Sequence, residues 1–522
     1  MAALTFENGH LLTQEPSRPT AVAMAVRDGK IVGVGPVAEM RSLAGPGAGR
    51  VDLGGRTMIP GFNDAHAHLW KIGHLLTTMV DLRRTRALAD MAPLLRAAHL
   101  RLGPAAWLLG RGYNEANLAE GRAPLRADLD AVVPDRPVVM TRTCGHSYAA
   151  NSAALARAGI TRDTADPAGG LIGRDAHGEP TGLLHETAMG LINRHLPPST
   201  RDDFAAMITA ATRHQLTLGI TSTNDAGVNP ELLAVYRWMD REQLLPSRVN
   251  VMALRAVDGV GVVPLPERHR SDRLRVDTVK FLADGGLSGA TAALSMEYRH
   301  APTRGVLRFE REELLALARE AHDAGWRVAT HAIGDVTIDQ VLDVYAALGR
   351  GPMRHRIEHF GLPSAAQLAR AAALGVIASP QTVFLHELGK NFRAYIPDAL
   401  FARTYPVRAM LDAGVTVALS SDAPVVENDN PLQGMRSAID RADGDGRAIL
   451  PEQSITAAEA LYAYTMGGAI ASGDADNRGS LAVGKWADVA ILSGDPLATP
   501  VHDLTNLRVE ATWLGGSLVS GH

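Results

Sequence analysis

The stretch IPGFNDAHAHLW, residues 59–70, sets the reading of this chain. In an extended strand Ala67 points to one face and His66 and His68 to the other. Two imidazoles side by side are poor core material, because each ring carries polar nitrogens that need partners. A metal ion would satisfy both. Such a pair at a strand end is commonly a surface or turn pair, so its meaning depends on what the remainder of the chain supplies.

Working outward, short apolar runs alternate with helical patterns from Gly219 onward. The runs are GITSTNDAG, RVNVMAL, DTVKFLADGG, RVATHAIGD, RHRIEHF, GVIASPQ and TVALSSDAP. Between them lie segments such as REELLALAREAHDAG, with apolar residues at helical spacing and a glycine stop. With the run leading into HAH they make eight strand candidates. Eight strands alternating with helices predict an α/β protein with a parallel sheet, closed as a (β/α)8 TIM barrel. An open doubly wound sheet would carry a glycine-rich phosphate loop after an early strand, and the sequence has none.

The two ends differ from this middle. AVAMAVRDGKIVGVG alternates around Asp28-Gly29, a two-residue hairpin signal, and RVDLGGRTMIPGF follows as a further short pair of strands. GSLAVGKWADVAIL and VEATWLGGSLV, near the C-terminus, are strand-like runs broken by glycines. Both termini, 1–61 and 470–522, are therefore expected to build one small β domain around a barrel at 62–469. Residues 75–218, rich in Arg, Ala and Pro, are too long for a structureless loop and read as a lid or substrate insert after the first barrel strand.

Bulk numbers narrow the partners. The 522 residues are 46% hydrophobic and 21% charged, and 52 Lys plus Arg against 56 Asp plus Glu leave a net charge of −4. That balance speaks against nucleic acid or an anionic membrane as partner. The N-terminal residues show no basic start followed by an apolar core, and no run of about 18 apolar residues suggests a spanning helix. A single cysteine, Cys144, suits a reducing compartment, so the cytoplasm is the expected location. Arginine has displaced lysine almost everywhere; only Lys30, Lys71, Lys280, Lys390 and Lys485 persist. A surviving lysine marks a place where guanidinium cannot do the work.

Polar residues that close an apolar strand at its C-terminal end are the ones a barrel uses for chemistry. On that criterion the first strand supplies His66 and His68, the fourth Lys280, the fifth His331, the sixth His359 and the eighth Asp422. Each alone reads as a bonded core histidine, a turn or a surface lysine. Six in the same strand-relative position point to one converging site.

These residues carry a resemblance. PGFNDAHAHL, KFLADGG, HAIGD, RIEH and SSDAP resemble, in order, the motifs of the amidohydrolase superfamily, in the amidohydrolase-3 branch that includes N-substituted formamide deformylases. GSLAVGKWADVAIL is similar to the segment closing that family's small β-sandwich. The resemblance implies that His66 and His68 hold one divalent metal, usually zinc, and His331 and His359 a second. It implies that Lys280 bridges them as a CO2-derived carbamate, which only a primary amine can form. Asp422 would touch one metal and act as general base and then acid. Imidazole and carboxylate ligands suit zinc, and zinc lowers the pKa of bound water towards about 7. The implied reaction is hydrolysis of a carbonyl C–N bond in an N-acyl, N-formyl or cyclic amide by metal-activated hydroxide. A lactonase, an esterase or an isomerase on the same barrel is the alternative.

For the substrate, MTRTCGHSYAANSAAL resembles the family's Arg-x-x-Gly-His element, which implies that His146 approaches the substrate carbonyl and Arg142 supports it. Cys144 stands where the family often has Asp or Ser. TGLLHETAM places Glu186 where the branch often has an acid; Trp70 is a candidate to line an apolar pocket, as are Trp107 and Tyr113, although core packing is the stronger reading of each. His185 has no assigned role. The expected partner is a small amide-type molecule, with a homodimer by analogy of fold.

Overall fold

A computed structural model describes residues 3–521 except 104, 105, 144, 146, 168, 258, 259 and 352, together with the backbone alone of Ala116. The chain divides into two compact units. One comprises Met1–Leu69, Thr212–Ala423 and Asn428–His522; the other comprises Trp70–Ala211 and Pro424–Glu427.

In the first unit all eight expected runs form strands of one parallel sheet. They are Phe62–Ala67, Ile220–Val228, Arg248–Leu254, Leu274–Leu282, Arg327–Ala332, Arg356–His359, Ile377–Ser379 and Thr416–Val417. Each pairs in parallel with its sequence neighbour. Backbone hydrogen bonds also run between the first strand and the segment after the eighth. Ala65 N–H donates to Leu419 O (3.4 Å), Asp422 N–H to His66 O (2.7 Å) and His68 N–H to Ala423 O (2.9 Å). The sheet therefore curls back on itself in the manner of a TIM-like barrel. Its strands are buried almost throughout, as expected where helices cover a parallel sheet.

Helices Arg311–Asp323, Asp335–Leu348 and Ala365–Leu374 occupy the crossovers. REELLALAREAHDAG forms the first of them and stops at Gly325, whose φ is 76°. The crossover from the third to the fourth strand departs from the expected alternation. Among its described residues it holds only the two-residue strands Ala256–Val257, Gly261–Val262 and His269–Arg270. Gly261, Pro264 and Pro266 interrupt this stretch, and without an apolar stripe at 3.6-residue spacing a helix has nothing to bury.

Residues from both chain ends form two sheets in the same unit. Ala23–Arg27 and Lys30–Gly35 make the expected hairpin, with Asp28 and Gly29 both at positive φ (51° and 78°), as a type I′ turn requires. The RVDLGGRTMIPGF strands do not pair with each other. Gly49–Asp52 joins Leu4–Glu7 in the first sheet, whereas Thr57–Pro60 joins His10–Leu12 and Val489–Leu492 in the second. Gly54 and Gly55, both at positive φ, turn the chain between the sheets, and fully buried Leu53 fills the crossing. One apolar cluster is shared by Leu4, Phe6, Met24 and Val26 of the first sheet and Leu11, Met58, Val489 and Ile491 of the second. Arg248 ties this region to the barrel, forking onto Asp488 with Nε–Oδ2 at 2.6 Å and Nη2–Oδ1 at 2.8 Å.

The second unit is built on a six-stranded mixed sheet of Val80–Asp81, Leu108–Tyr113, Val138–Arg142, Ser147–Ala150, Pro180–Glu186 and Gly170–Arg174. It has its own apolar clusters, one containing Leu82, Leu95, Tyr113 and Met140 and another Trp107, Val139, Leu155 and Leu184. Tyr113 and Trp107 are thus packing residues of these clusters. No helix among the described residues is long and apolar enough to cross a membrane.

Candidate metal centre

The first strand carries His66 to the end of the curled sheet where the fourth, fifth and sixth strands bring Lys280, His331 and His359. Asp422 follows the eighth strand and is bonded directly to the first. Ring centroids of His66 and His68 are 5.6 Å apart, those of His66 and His359 4.9 Å, and those of His359 and His331 4.3 Å. The four imidazoles form one continuous group. Lys280, 1% exposed, stands close enough for its charge to depress the pKa values of His66 and His359. Donor atoms of His66, His68 and Asp422 all lie within 4.8 Å of one another.

Each imidazole is oriented by a partner on one ring nitrogen. His66 Nδ1–H donates to Glu358 Oε2 (2.6 Å) and His68 Nδ1–H to Ala226 O (2.7 Å). His359 Nδ1–H donates to Gln381 Oε1 (2.7 Å), and His331 Nε2–H to Gly285 O (3.0 Å), with Asp284 Oδ1 at 3.2 Å. This leaves Nε2 of His66, His68 and His359, and Nδ1 of His331, as the lone-pair nitrogens. Such an arrangement fixes tautomers and presents ligands.

A simple valence test shows that this set fits a cation. Asp422 Oδ1 is 3.1 Å from His68 Nε2 and 3.5 Å from His66 Nε2. With both Nδ1–H groups already committed, these contacts set acceptor against acceptor. Only an additional proton or a positive ion among them relieves the repulsion. Burial lowers the pKa of His66 and of His359, favouring the neutral imidazoles that ligate metal. Burial raises that of Asp422, and only a proton on His68 Nε2 donated to it, with positive charge on the neighbouring imidazoles, would pull the carboxyl far below the usual range, which is the same demand for positive charge at this point. Neutral histidines and an ionised carboxylate are the protonation states a divalent ion selects.

Strain and buried bonding keep these groups in place. His359 and Asp422 both sit at positive φ (69° and 54°), a conformation on the order of 1–3 kcal/mol unfavourable for side chains of this kind. Asp64 Oδ1 accepts from the backbone N–H of His66 and of Ser421 (3.1 Å each), and Oδ2 accepts from Ser421 Oγ–H (2.5 Å). It pins the first strand to the turn that carries Asp422. Arg356, fully buried, forks onto Glu358 (Nε–Oε1 2.7 Å, Nη2–Oε2 2.9 Å) and donates to Ala65 O (2.6 Å) and Asn224 Oδ1 (2.9 Å). Burial raises the Glu358 pKa, but Arg356 and then His66 override it, so the carboxylate stays ionised. Asp284 accepts from the N–H groups of Ala293, Ile333 and Gly334 and from Thr337 Oγ1–H, which anchors the turn after the fifth strand.

Sequence reading assigned no role to Asp64, Asp284, Arg356, Glu358 or Gln381. All five lie inside or beside the quoted runs, so the signal was a charged or amide side chain at a position otherwise reserved for apolar residues.

The residues expected to contact substrate belong to the second unit. Arg142 pairs with Glu115 at 2.8 Å, and Glu186 ends its strand at a φ of 52°. Trp70 stacks near His74 (6.3 Å) and meets Phe204 edge-on (6.2 Å). His185 Nδ1 is 2.9 Å from Ser147 Oγ. His146 and Cys144 lie outside the described residues.

Known proteins share both the fold and the sequence. Residues 50–520 match the amidohydrolase family. The N-substituted formamide deformylase of Arthrobacter pascens is 31% identical, over 99% of this chain and 98% of its own. The Arabidopsis thaliana protein LONG AFTER FAR-RED 3 is also 31% identical, over 99% and 91%. An uncharacterized metal-dependent hydrolase from Pyrococcus horikoshii superimposes with a TM-score of 0.81 at 28% identity, covering 96% of this chain and 99% of that one. The chain belongs to the amidohydrolase family, and its fold is that of a metal-dependent hydrolase.

Proposed function

We propose that this protein hydrolyses a carbonyl C–N bond in a small N-acyl, N-formyl or cyclic amide. The observation that carries the reading is the meeting of His66, His68, Lys280, His331, His359 and Asp422 at one end of the curled sheet, with ligand atoms of His66, His68 and Asp422 within 4.8 Å of one another. In this reading His66 Nε2, His68 Nε2 and Asp422 hold one divalent ion, best matched by zinc's preference for imidazole and carboxylate. His359 Nε2 and His331 Nδ1 hold a second. Lys280 Nζ, were it joined to CO2 as a carbamate with release of a proton, would supply a further anionic ligand. When bound, zinc supplies Lewis acidity that polarises a carbonyl and acidifies water.

The chain's own groups then move the proton. Asp422 takes it from water at a carboxylate oxygen and delivers it to the departing nitrogen, because an amide nitrogen leaves readily only once protonated. Glu358 and Arg356 keep His66 in the tautomer that ligates. A formamide deformylase among the relatives favours an acyl C–N bond over an ester. The single cysteine suits a cytoplasmic setting.

The test is a panel of N-formyl, N-acyl and cyclic amides set beside lactones and esters, assayed before and after chelation and again with added zinc. Amide turnover that disappears on chelation and returns with zinc is the expected result. Turnover of esters alone, or protein purified without chelator that carries no metal by elemental analysis, overturns the reading.

A further inference from the structure

At the opposite end of the same sheet, where the third and fourth strands begin, lies a cavity of about 10 Å³, room for one water-sized occupant. Arg270, Arg273, Arg275 and Arg478 line it with a single carboxylate, Asp474. That carboxylate is shared three ways: Arg270 Nη2 lies 3.2 Å from Oδ1, Arg275 Nη1 3.6 Å from Oδ1, and Arg478 Nη2 is bonded to Oδ2. Asp277 takes Nε of Arg275. Arg273 donates to Pro246 O (2.9 Å), and among the described residues no carboxylate lies at ion-pair distance from it.

Hydrogen-bonding capacity is also left over. Arg275 Nη1 and Arg478 Nε are buried donors without a hydrogen-bond partner among the described residues, as is Nε of neighbouring Arg327. Arg327 and Arg275 both pack against Gly473, where a Cβ would collide with Arg327 Nη2 and lie 3.1 Å from Arg275 Nη2. A buried donor left unmet is destabilising, and more so when it is charged. Burial pulls Arg327 and Arg478 down to about 10, against the opposing pull of Asp277 on the first and of Asp474 and Asp488 on the second, with nearby guanidinium groups adding to the fall. These are cations crowded beyond their supply of counter-charge.

We propose that this cavity binds one small inorganic anion of chloride size, held by the Arg275 and Arg478 guanidinium groups and facing Arg273 and Arg270. The anion offsets the excess positive charge and takes up the unmet N–H donors, tying the 472–478 turn to the base of the third and fourth strands. The inference is independent of the hydrolytic centre.

Two measurements test it. Crystals of the full chain grown in bromide should show an anomalous peak within hydrogen-bond distance of Arg275 and Arg478. In solution, the thermal unfolding midpoint should rise saturably with chloride relative to gluconate at constant ionic strength, and Arg478→Gln should abolish that rise. Should Arg478→Gln fail to fold, Arg273→Gln serves in its place and should weaken the chloride response. A water in the cavity with no anomalous signal overturns the proposal. So do equal midpoints in the two salts, even with a bromide peak, since the site would then hold an adventitious ion only.

Discussion

Replacing Glu358 by Gln removes one negative charge while keeping nearly the same shape. Its Oε2 accepts from His66 Nδ1–H at 2.6 Å, a charge-assisted bond that raises the basicity of the opposite ring nitrogen. Loss of such a partner typically weakens metal binding about 10- to 100-fold, or about 1.4–2.7 kcal/mol. The folding cost is separate and larger. Arg356 is fully buried and forks onto this carboxylate alone, and breaking a buried pair costs about 3–5 kcal/mol. The substituted amide still offers one oxygen acceptor, so the lower part of that range is expected. Zinc affinity would be measured by competition with a chromophoric chelator, and retention of fold by circular dichroism before and after loading. A folded Glu358→Gln protein whose zinc affinity lies within about twofold of the parent would refute the orienting role of Glu358.

Asp422→Asn should lower amide turnover by at least about 100-fold, as expected on removing a positioned general base, with circular dichroism unchanged; near-normal turnover would remove the proton-transfer role. His331→Ala should likewise abolish turnover while the fold survives, and retained activity would count against the site. His355 is 7% exposed, accepts from Val328 N–H at Nδ1 (3.1 Å), and is held by burial and then by His322 at a pKa of about 4 against an ordinary 6.5. The unfolded chain therefore binds this proton first, so its contribution is complete above about pH 6.5 and is lost as pH falls towards 4, roughly 3 kcal/mol in all. His355→Gln should flatten the acid limb of urea midpoints between about pH 7 and 5, and an unchanged slope would contradict this. Arg248→Met strands buried Asp488 and should cost about 3–5 kcal/mol, with Arg248→Met/Asp488→Leu costing far less than the sum of the singles. Additive losses in denaturant titrations would deny the coupling.

Particular residues show how far the primary structure carries the account. The eight strand runs are legible because strands buried on both faces are nearly continuous apolar stretches, and polar residues at their ends stand out. His66, His68, Lys280, His331, His359 and Asp422 were found in that way. The interrupted crossover after the third strand was less visible, since a helix there was inferred from the rhythm of the other crossovers. The separate destinations of Gly49–Asp52 and Thr57–Pro60 were hidden too, because alternation reveals a strand but not its partner.

The sequence by itself determined the candidate residues and the strands in which they lie, because periodicity and residue type are local properties. Tertiary structure alone decided how those residues are used. Glu358 meets His66 from 292 positions away, Asp64 meets Ser421 from 357, and Arg248 meets Asp488 from 240. Such contacts form because a curled sheet brings distant strands together, and spacing along the chain carries no record of them. The same curling sets Asp422 against two imidazoles and crowds arginines at the opposite end, so charge balance became readable only once the fold was known.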